Sequence, residues 1–208
     1  MTAPRAPFGL SVVIPLYNKA PWIRATLASV LAQTHPVASI VVVDDGSSDG
    51  STEIARSFET AGVTVLTQPN RGLSAARNRG FAEVSTEWVA FLDADDRWHP
   101  DFVAIVANTL TPPFDEGLAA VGTNVATDET SCLFSGWPPE TVRGPSFALS
   151  FRARRMLFQC SWMVVRTSVV AQLGGFRESL RWAEDIDFFS RMALLGEFAF
   201  VPQPLVHY

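Results

Sequence analysis

The feature that most constrains this chain is a rhythm: short β-branched runs end in polar or acidic clusters, and each is followed by apolar residues at helical spacing. Leu10 to Leu16 leads into a helical pattern through Trp22, Leu27, Val30 and Leu31, and Ile40 to Val43 leads into a predicted helix over Asp49 to Phe58. Val63 to Leu66 reads as a third strand, Gly72 to Val84 as a helix, Trp88 to Leu92 as a strand, and His99 to Leu110 as a helix entered through Pro100. Strands alternating with helices predict an α/β architecture with a parallel sheet. In such open sheets ligands gather outside the carboxyl ends of the strands, and here those ends carry Asp44 and Asp93.

The remaining chain is less regular. Five prolines punctuate Thr111 to Ser150, a stretch with one predicted strand, Ala119 to Val125. Order returns with a strand at Ser161 to Val165, a turn at Gly174-Gly175, a helix over Glu184 to Leu195 and a strand at Phe198 to Val201. A length of 208 residues, 48% of them hydrophobic and 18% charged, suits one domain over 1–208 with a sizeable apolar core. The net charge of -5 comes without a basic run, so no nucleic-acid partner is expected. Cys132 and Cys160 have neither zinc-site nor disulfide-framework spacing, and no stretch has the length or apolar character of a secretory signal or a membrane span. The expected compartment is the cytoplasm, with peripheral contact at the inner face of a membrane open as an addition.

Five segments carry chemistry: Val12-Val13-Ile14-Pro15-Leu16-Tyr17-Asn18, Asp44-Asp45-Gly46-Ser47, Gly72-Leu73-Ser74-Ala75-Ala76-Arg77-Asn78, Asp93-Ala94-Asp95-Asp96, and Glu184-Asp185 before an apolar helix bearing Arg191. Carboxylates two apart at a strand end can turn toward one hard cation that also binds diphosphate oxygens. An acidic residue after a buried strand can accept hydrogen bonds from a base or ribose, while Asp49 and Gly46 equally suit a helix cap and a turn. Arg77 offers a donor fork suited to phosphate or ribose. Asp96 suits a cap for the next helix.

In this order the five segments resemble the family 2 glycosyltransferases with the GT-A fold, and the resemblance runs through nearly the whole chain. It implies a Rossmann-like, mostly parallel central sheet flanked by helices, with residues 10–110 binding a nucleotide sugar and 111–208 carrying the acceptor site and catalytic base. It implies metal contacts at Asp93 and Asp95, with a divalent cation, Mg or Mn. Pro15, Tyr17, Asn18, Asp44, Asp45, Arg77 and Ala94 are placed around the nucleotide, and Asp185 becomes the general base. Trp182 and Gly175 are expected near the acceptor, a glycan or lipid-linked hydroxyl compound.

The implied reaction is inverting transfer of a hexosyl or related sugar from a UDP-, GDP- or dTDP-sugar, as in cell envelope polysaccharide or glycolipid synthesis. Absence of a Q-x-x-R-W stretch favours a non-processive enzyme. Two alternatives stay open, a nucleotide-sugar-binding domain without catalysis and a sugar nucleotidyltransferase. The second lacks its Gly-rich, lysine-bearing N-terminal loop, and neither phosphate-loop spacing is present, which excludes a P-loop ATPase. Arg143, Arg152, Arg154 and Arg155 form a basic group suited to a phosphate-bearing acceptor or an anionic surface, or to a solvated face.

Overall fold

Among the described residues nine strands join in one sheet, in the order β3-β2-β1-β4-β8-β6-β9-β5, with β7 paired to β9. The structure, a computed structural model, describes residues 8–111, 115–126, 140–145 and 159–208. The strands are β1 (Phe8–Leu16), β2 (Val37–Asp44), β3 (Val63–Thr67), β4 (Trp88–Phe91), β5 (Arg97–Trp98), β6 (Leu118–Ala126), β7 (Val142–Gly144), β8 (Met163–Arg166) and β9 (Glu197–His207). The helices are α1 (Ile23–Leu31), α2 (Ser51–Arg56), α3 (Leu73–Phe81), α4 (Phe102–Thr109), α5 (Thr167–Leu173) and α6 (Glu184–Met192).

The alternation read from the sequence produces four parallel neighbours, β3, β2, β1 and β4. Both faces of this sheet are covered. Ile40 and Val42 join the main core, while Val41 and Val43 meet Ala76 of α3 on the other face. That two-sided burial explains why β1 and β2 read as continuous apolar runs rather than alternating ones. α3 lies close: a Cβ on Gly80 would stand 2.3 Å from Val13 Cγ1, so only glycine permits this approach.

Beyond β4 the pairing becomes mixed. β8 runs antiparallel to β4 and β6, and β9 runs parallel to β6 but antiparallel to β5 and β7. β9 also extends past the predicted Val201 to His207, through Pro202 and Pro204. Prolines cannot donate to a ladder, and the β6–β9 register shifts there. Asn124 repairs the gap, donating Nδ2 to the Pro202 carbonyl at 3.1 Å and accepting from the Val125 amide at 2.8 Å. The predicted strand from Ser161 begins instead as a 3₁₀ turn, Cys160–Trp162, before β8. α5 was not expected. It has 7 residues, too short a run for helical periodicity to mark, and Val169 and Val170 are its buried residues.

The start of α6 is held from below by aromatic packing. Phe176 stacks on Phe188 at 4.1 Å between centroids, and Phe91 of β4 meets Phe176 edge-on at 4.9 Å. Such contacts add about 0.5–1.5 kcal/mol each beyond buried area, which fixes the α6 N-terminus beside the end of β4.

Candidate active site

A cleft of about 1500 Å³ opens at the carboxyl ends of β1, β2 and β4. It exceeds the 300–1,000 Å³ or so typical of a small-ligand pocket, room enough for a nucleotide sugar and part of an acceptor. Of the residues expected from sequence, Pro15, Tyr17, Asp45, Asp93, Ala94 and Asp95 line it. Asn18, Asp44, Arg77 and Asp185 stand outside that lining.

The first acidic pair is largely occupied with local architecture. Asp44, buried, accepts from the Ser47 amide at 3.1 Å and the Thr52 hydroxyl at 2.9 Å. Asp45 accepts from Gln68 Nε2 at 2.7 Å, the Arg71 amide at 2.8 Å and the Gly72 amide at 2.8 Å, so its carboxylate ties residues 68–72 to the end of β2. Asn18, in the left-handed region with φ 51°, accepts from the Ser48 amide at 2.9 Å while its own amide donates to Ser47 Oγ at 3.0 Å. Gly50, not the expected Asp49, holds the cap position of α2; Asp49 accepts from the Ser51 hydroxyl and amide and from the Ala20 amide, contacts that hold its carboxyl below the usual carboxylate range.

The second acidic cluster is held differently. Arg77 is 2% exposed, and its guanidinium donates to Asp93 Oδ1 at 2.7 Å and to Glu184 Oε1 at 3.1 Å while lying over the Phe176 ring. The donor fork expected to face the nucleotide is therefore directed at two protein carboxylates, because α3 presents Arg77 inward between β4 and α6. Burial disfavours its charge, yet the charges and bonds of its partners raise its pKa above the ordinary arginine value. Asp95, partly exposed to the cleft, is paired with the Lys19 ammonium. Asp96 is buried ahead of β5, and Asp101 holds the cap position at the start of α4. The expectation that Asp96 caps that helix fails for this reason. Its Oδ2 has no hydrogen-bond partner among the described residues, and burial, opposed by a bond from Ser161 and aided by the charges of Asp93 and Asp95, pushes its pKa up to about 7.

Glu184, Asp185 and Asp187 form the first turn of α6, where backbone donors favour negative charge. Asp185 Oδ1 accepts from the Ile186 amide at 2.8 Å. Asp187 is bound by Arg177 at 2.8 Å and Arg191 at 2.8 Å, and Glu184 by Arg77. Asp185 is thus the carboxylate of the three without an arginine partner among the described residues. Ala183 reaches φ 58° just before it, a left-handed conformation uncommon for alanine and characteristic of constrained functional sites. Trp182, 87% exposed, lines the cleft. Gly175 has another use than the acceptor wall. At φ 75°, a Cβ there would stand 2.4 Å from Asn78 Oδ1, and Asn78 pairs with both backbone groups of Phe176 at 2.8 Å.

Several cleft residues carried no sequence signal strong enough to find: Lys19, Asn70, Arg181 and Tyr208. Lys19 follows directly on the Tyr17-Asn18 turn, which is the one clue that placed it at a strand end. Arg143 pairs with Glu197 at 2.6 Å, and Arg152, Arg154 and Arg155, the rest of the expected basic group, lie outside the described residues. Cys160 is buried and free, and Cys132 also lies outside them.

The described residues contain no cluster of three or more side chains able to cage a metal. What they offer is Asp95, partly exposed at the cleft and paired through Oδ2 with Lys19, next to Asp93, whose Oδ1 is turned to Arg77. That donor set fits a divalent ion held by one or two carboxylates together with substrate phosphates, not an all-protein site.

A mixed sheet whose parallel half ends in a nucleotide-sized acidic cleft defines a GT-A fold, and solved structures agree. A fragment of TarS from S. aureus, solved with UDP-GlcNAc, matches with a TM-score of 0.80 at 21% identity over 96% of this chain and 58% of that one. Mannosyltransferase PcManGT from Pyrobaculum calidifontis, solved with GDP-Man and Mn2+, matches with a TM-score of 0.72 at 21% identity over 99% of this chain and 58% of that one. Residues 11–148 match the model of glycosyl transferase family 2, and the chain belongs to that family. Among curated relatives, the uncharacterized glycosyltransferase YibD of Escherichia coli is 29% identical over 194 residues, 86% of this chain and 56% of YibD. The chain thus spans a little over half the length of YibD, of the PcManGT chain and of the TarS fragment, and 36% of the longer TarS chain.

Proposed function

We propose that this domain transfers a sugar from a nucleotide diphosphate donor to an acceptor hydroxyl in one inverting, metal-assisted displacement. The observation that carries the reading is the Asp93–Arg77–Glu184 bridge, which fixes the acidic cluster at β4 beside the first turn of α6. In this reading the bridge keeps the donor's diphosphate and the base at one reacting centre. The donor class is supported by the relatives' ligands, UDP-GlcNAc on TarS and GDP-Man on PcManGT.

In this reading Pro15, Tyr17 and Asp45 form the nucleoside wall, and Asp95, with Asp93, would hold the divalent cation. Bound there, the cation supplies neutralisation of charge growing on the departing diphosphate. Asp185 takes the proton from the acceptor hydroxyl as that oxygen attacks the anomeric carbon, and no enzyme nucleophile is needed. Trp182 and Arg181 offer an aromatic face and a cation to the acceptor. Transfer of one sugar or a few, in envelope glycan or glycolipid synthesis on the cytoplasmic side, completes the proposal. No helix among the described residues is long and apolar enough to cross a membrane.

Asp185→Asn tests it. The substitution preserves shape while removing the basic carboxylate, so single-turnover transfer should fall by roughly 10²–10⁴-fold with donor affinity nearly constant. Undiminished transfer by a folded variant removes Asp185 as base and makes Glu184 the next candidate. Donor binding with no transfer to any acceptor by the wild-type protein supports instead a nucleotide-sugar-binding domain.

A further inference from the structure

The loop between β1 and α1 is pinned at three successive residues. The Asn18 amide donates to Ser47 Oγ at 3.0 Å, the Lys19 amide to Ser51 Oγ at 2.9 Å and the Ala20 amide to Asp49 Oδ2 at 2.9 Å. Lys19 therefore leaves a fixed root, and its side chain crosses to the acidic cluster, where the ammonium meets Asp95 Oδ2 and lies 5.3 Å from the Trp22 ring centre. Both Lys19 and Asp95 line the cleft, with side chains 35% and 38% exposed. A half-exposed pair of this kind adds little to folding, so stability alone does not explain a lysine held here.

We propose that Lys19 is an internal counter-cation, which occupies the cation position at Asp95 while the cleft is free of nucleotide and turns to the diphosphate when nucleotide and metal enter together. This inference rests on the reading of Asp95 as a metal-contacting carboxylate. An ammonium and a divalent ion on one carboxylate repel each other, and two aspartates do not offset three positive charges. A nucleotide diphosphate brings the missing negative charge, and its oxygens give the three ammonium donors new acceptors. Metal binding then depends on nucleotide, and the free protein discriminates against a bare divalent ion. By linkage the dependence is reciprocal, each ligand tightening the other by the same factor.

The experiment is calorimetry on the full chain, titrating manganese chloride alone and then in the presence of saturating UDP or GDP, whichever raises the melting temperature. Wild type, Lys19→Gln, Lys19→Arg and Asp95→Asn are compared, with melting curves to confirm folding. Removing one positive charge beside the site should tighten manganese binding to nucleotide-free Lys19→Gln by roughly tenfold. The same variant should hold manganese with nucleotide several-fold more weakly, so that the coupling between the two ligands collapses, while Lys19→Arg restores it. Equal manganese affinity in nucleotide-free wild type and Lys19→Gln overturns the role of Lys19. Manganese binding with nucleotide that is unchanged in Asp95→Asn overturns the metal reading beneath it, and the two failures are distinct.

Discussion

Two acidic clusters stand at the ends of strands that flank β1, and they are treated in opposite ways. At the end of β2, Asp44 and Asp45 meet neutral donors: backbone amides, a hydroxyl and a carboxamide. At the end of β4, Asp93 and Asp95 meet cations, Arg77 and Lys19, while Asp96 keeps an oxygen with no hydrogen-bond partner among the described residues. A carboxylate satisfied by fixed backbone donors is part of the scaffold. One balanced by a side-chain cation can exchange that cation for another, and one left unsatisfied is strained by its surroundings. The first cluster shapes the cleft, and the second is where charge can be rearranged.

The largest effect should come from removing the scaffold carboxylate. Asp45→Ala leaves three donors without their acceptor, and at 1–3 kcal/mol for each unsatisfied buried group, discounted for water entering the cleft, about 4 kcal/mol of stability should be lost. Thermal unfolding should show a fall of about 8–16 °C for a chain of this size. An unchanged melting temperature with a weaker nucleotide dissociation constant would reverse the comparison and make Asp45 a ligand first.

Arg77→Met should cost somewhat less, about 3 kcal/mol, the low end for breaking a buried ion pair. Asp93 and Glu184 keep 24% and 15% side-chain exposure, so water can partly replace the guanidinium. Adding Glu184→Gln should recover about 1 kcal/mol in a double-mutant cycle read by urea unfolding. Full stability in Arg77→Met, with only nucleotide affinity reduced, would restore the arginine to the ligand-facing role expected from sequence.

Asp96 gives the smallest effect, and it depends on pH. Its folded pKa of about 7 lies above the ordinary carboxylate value, so the unfolded chain ionises first as pH rises. Nothing is lost below about pH 4, where both states are protonated; stability then declines and levels off above about pH 7. Asp96→Asn should flatten this decline, gaining about 2 kcal/mol over wild type at pH 8 relative to pH 4 without divalent cations, roughly half the linkage value, discounted for water entering the cleft that Asp96 lines. Parallel melting curves for the two proteins across that range would show that Asp96 is not strained.

Much of the fold was legible because strand and helix periodicities act locally: β1 to β4 and α1 to α4 follow the apolar spacing, with ends displaced by a few residues. The acidic pair at the end of β4 was legible for the same reason, since a strand end is a local feature. β9 was cut short in the reading because Pro202 and Pro204 forbid a regular ladder, and the Asn124 side chain that makes the extension tolerable lies 78 residues away. β7 has three residues and gains its strand geometry from pairing with β9.

By itself the sequence determined the alternating architecture, the strand ends that carry carboxylates and the family that the order of motifs implies. Tertiary structure alone decided which carboxylate faces which partner. Arg77 and Glu184 are separated by 107 residues, and Lys19 and Asp95 by 76, so no local pattern records either contact. Whether an aspartate is scaffold or chemistry depends on the donors that surround it in space, and those arrive only when the sheet closes around the cleft.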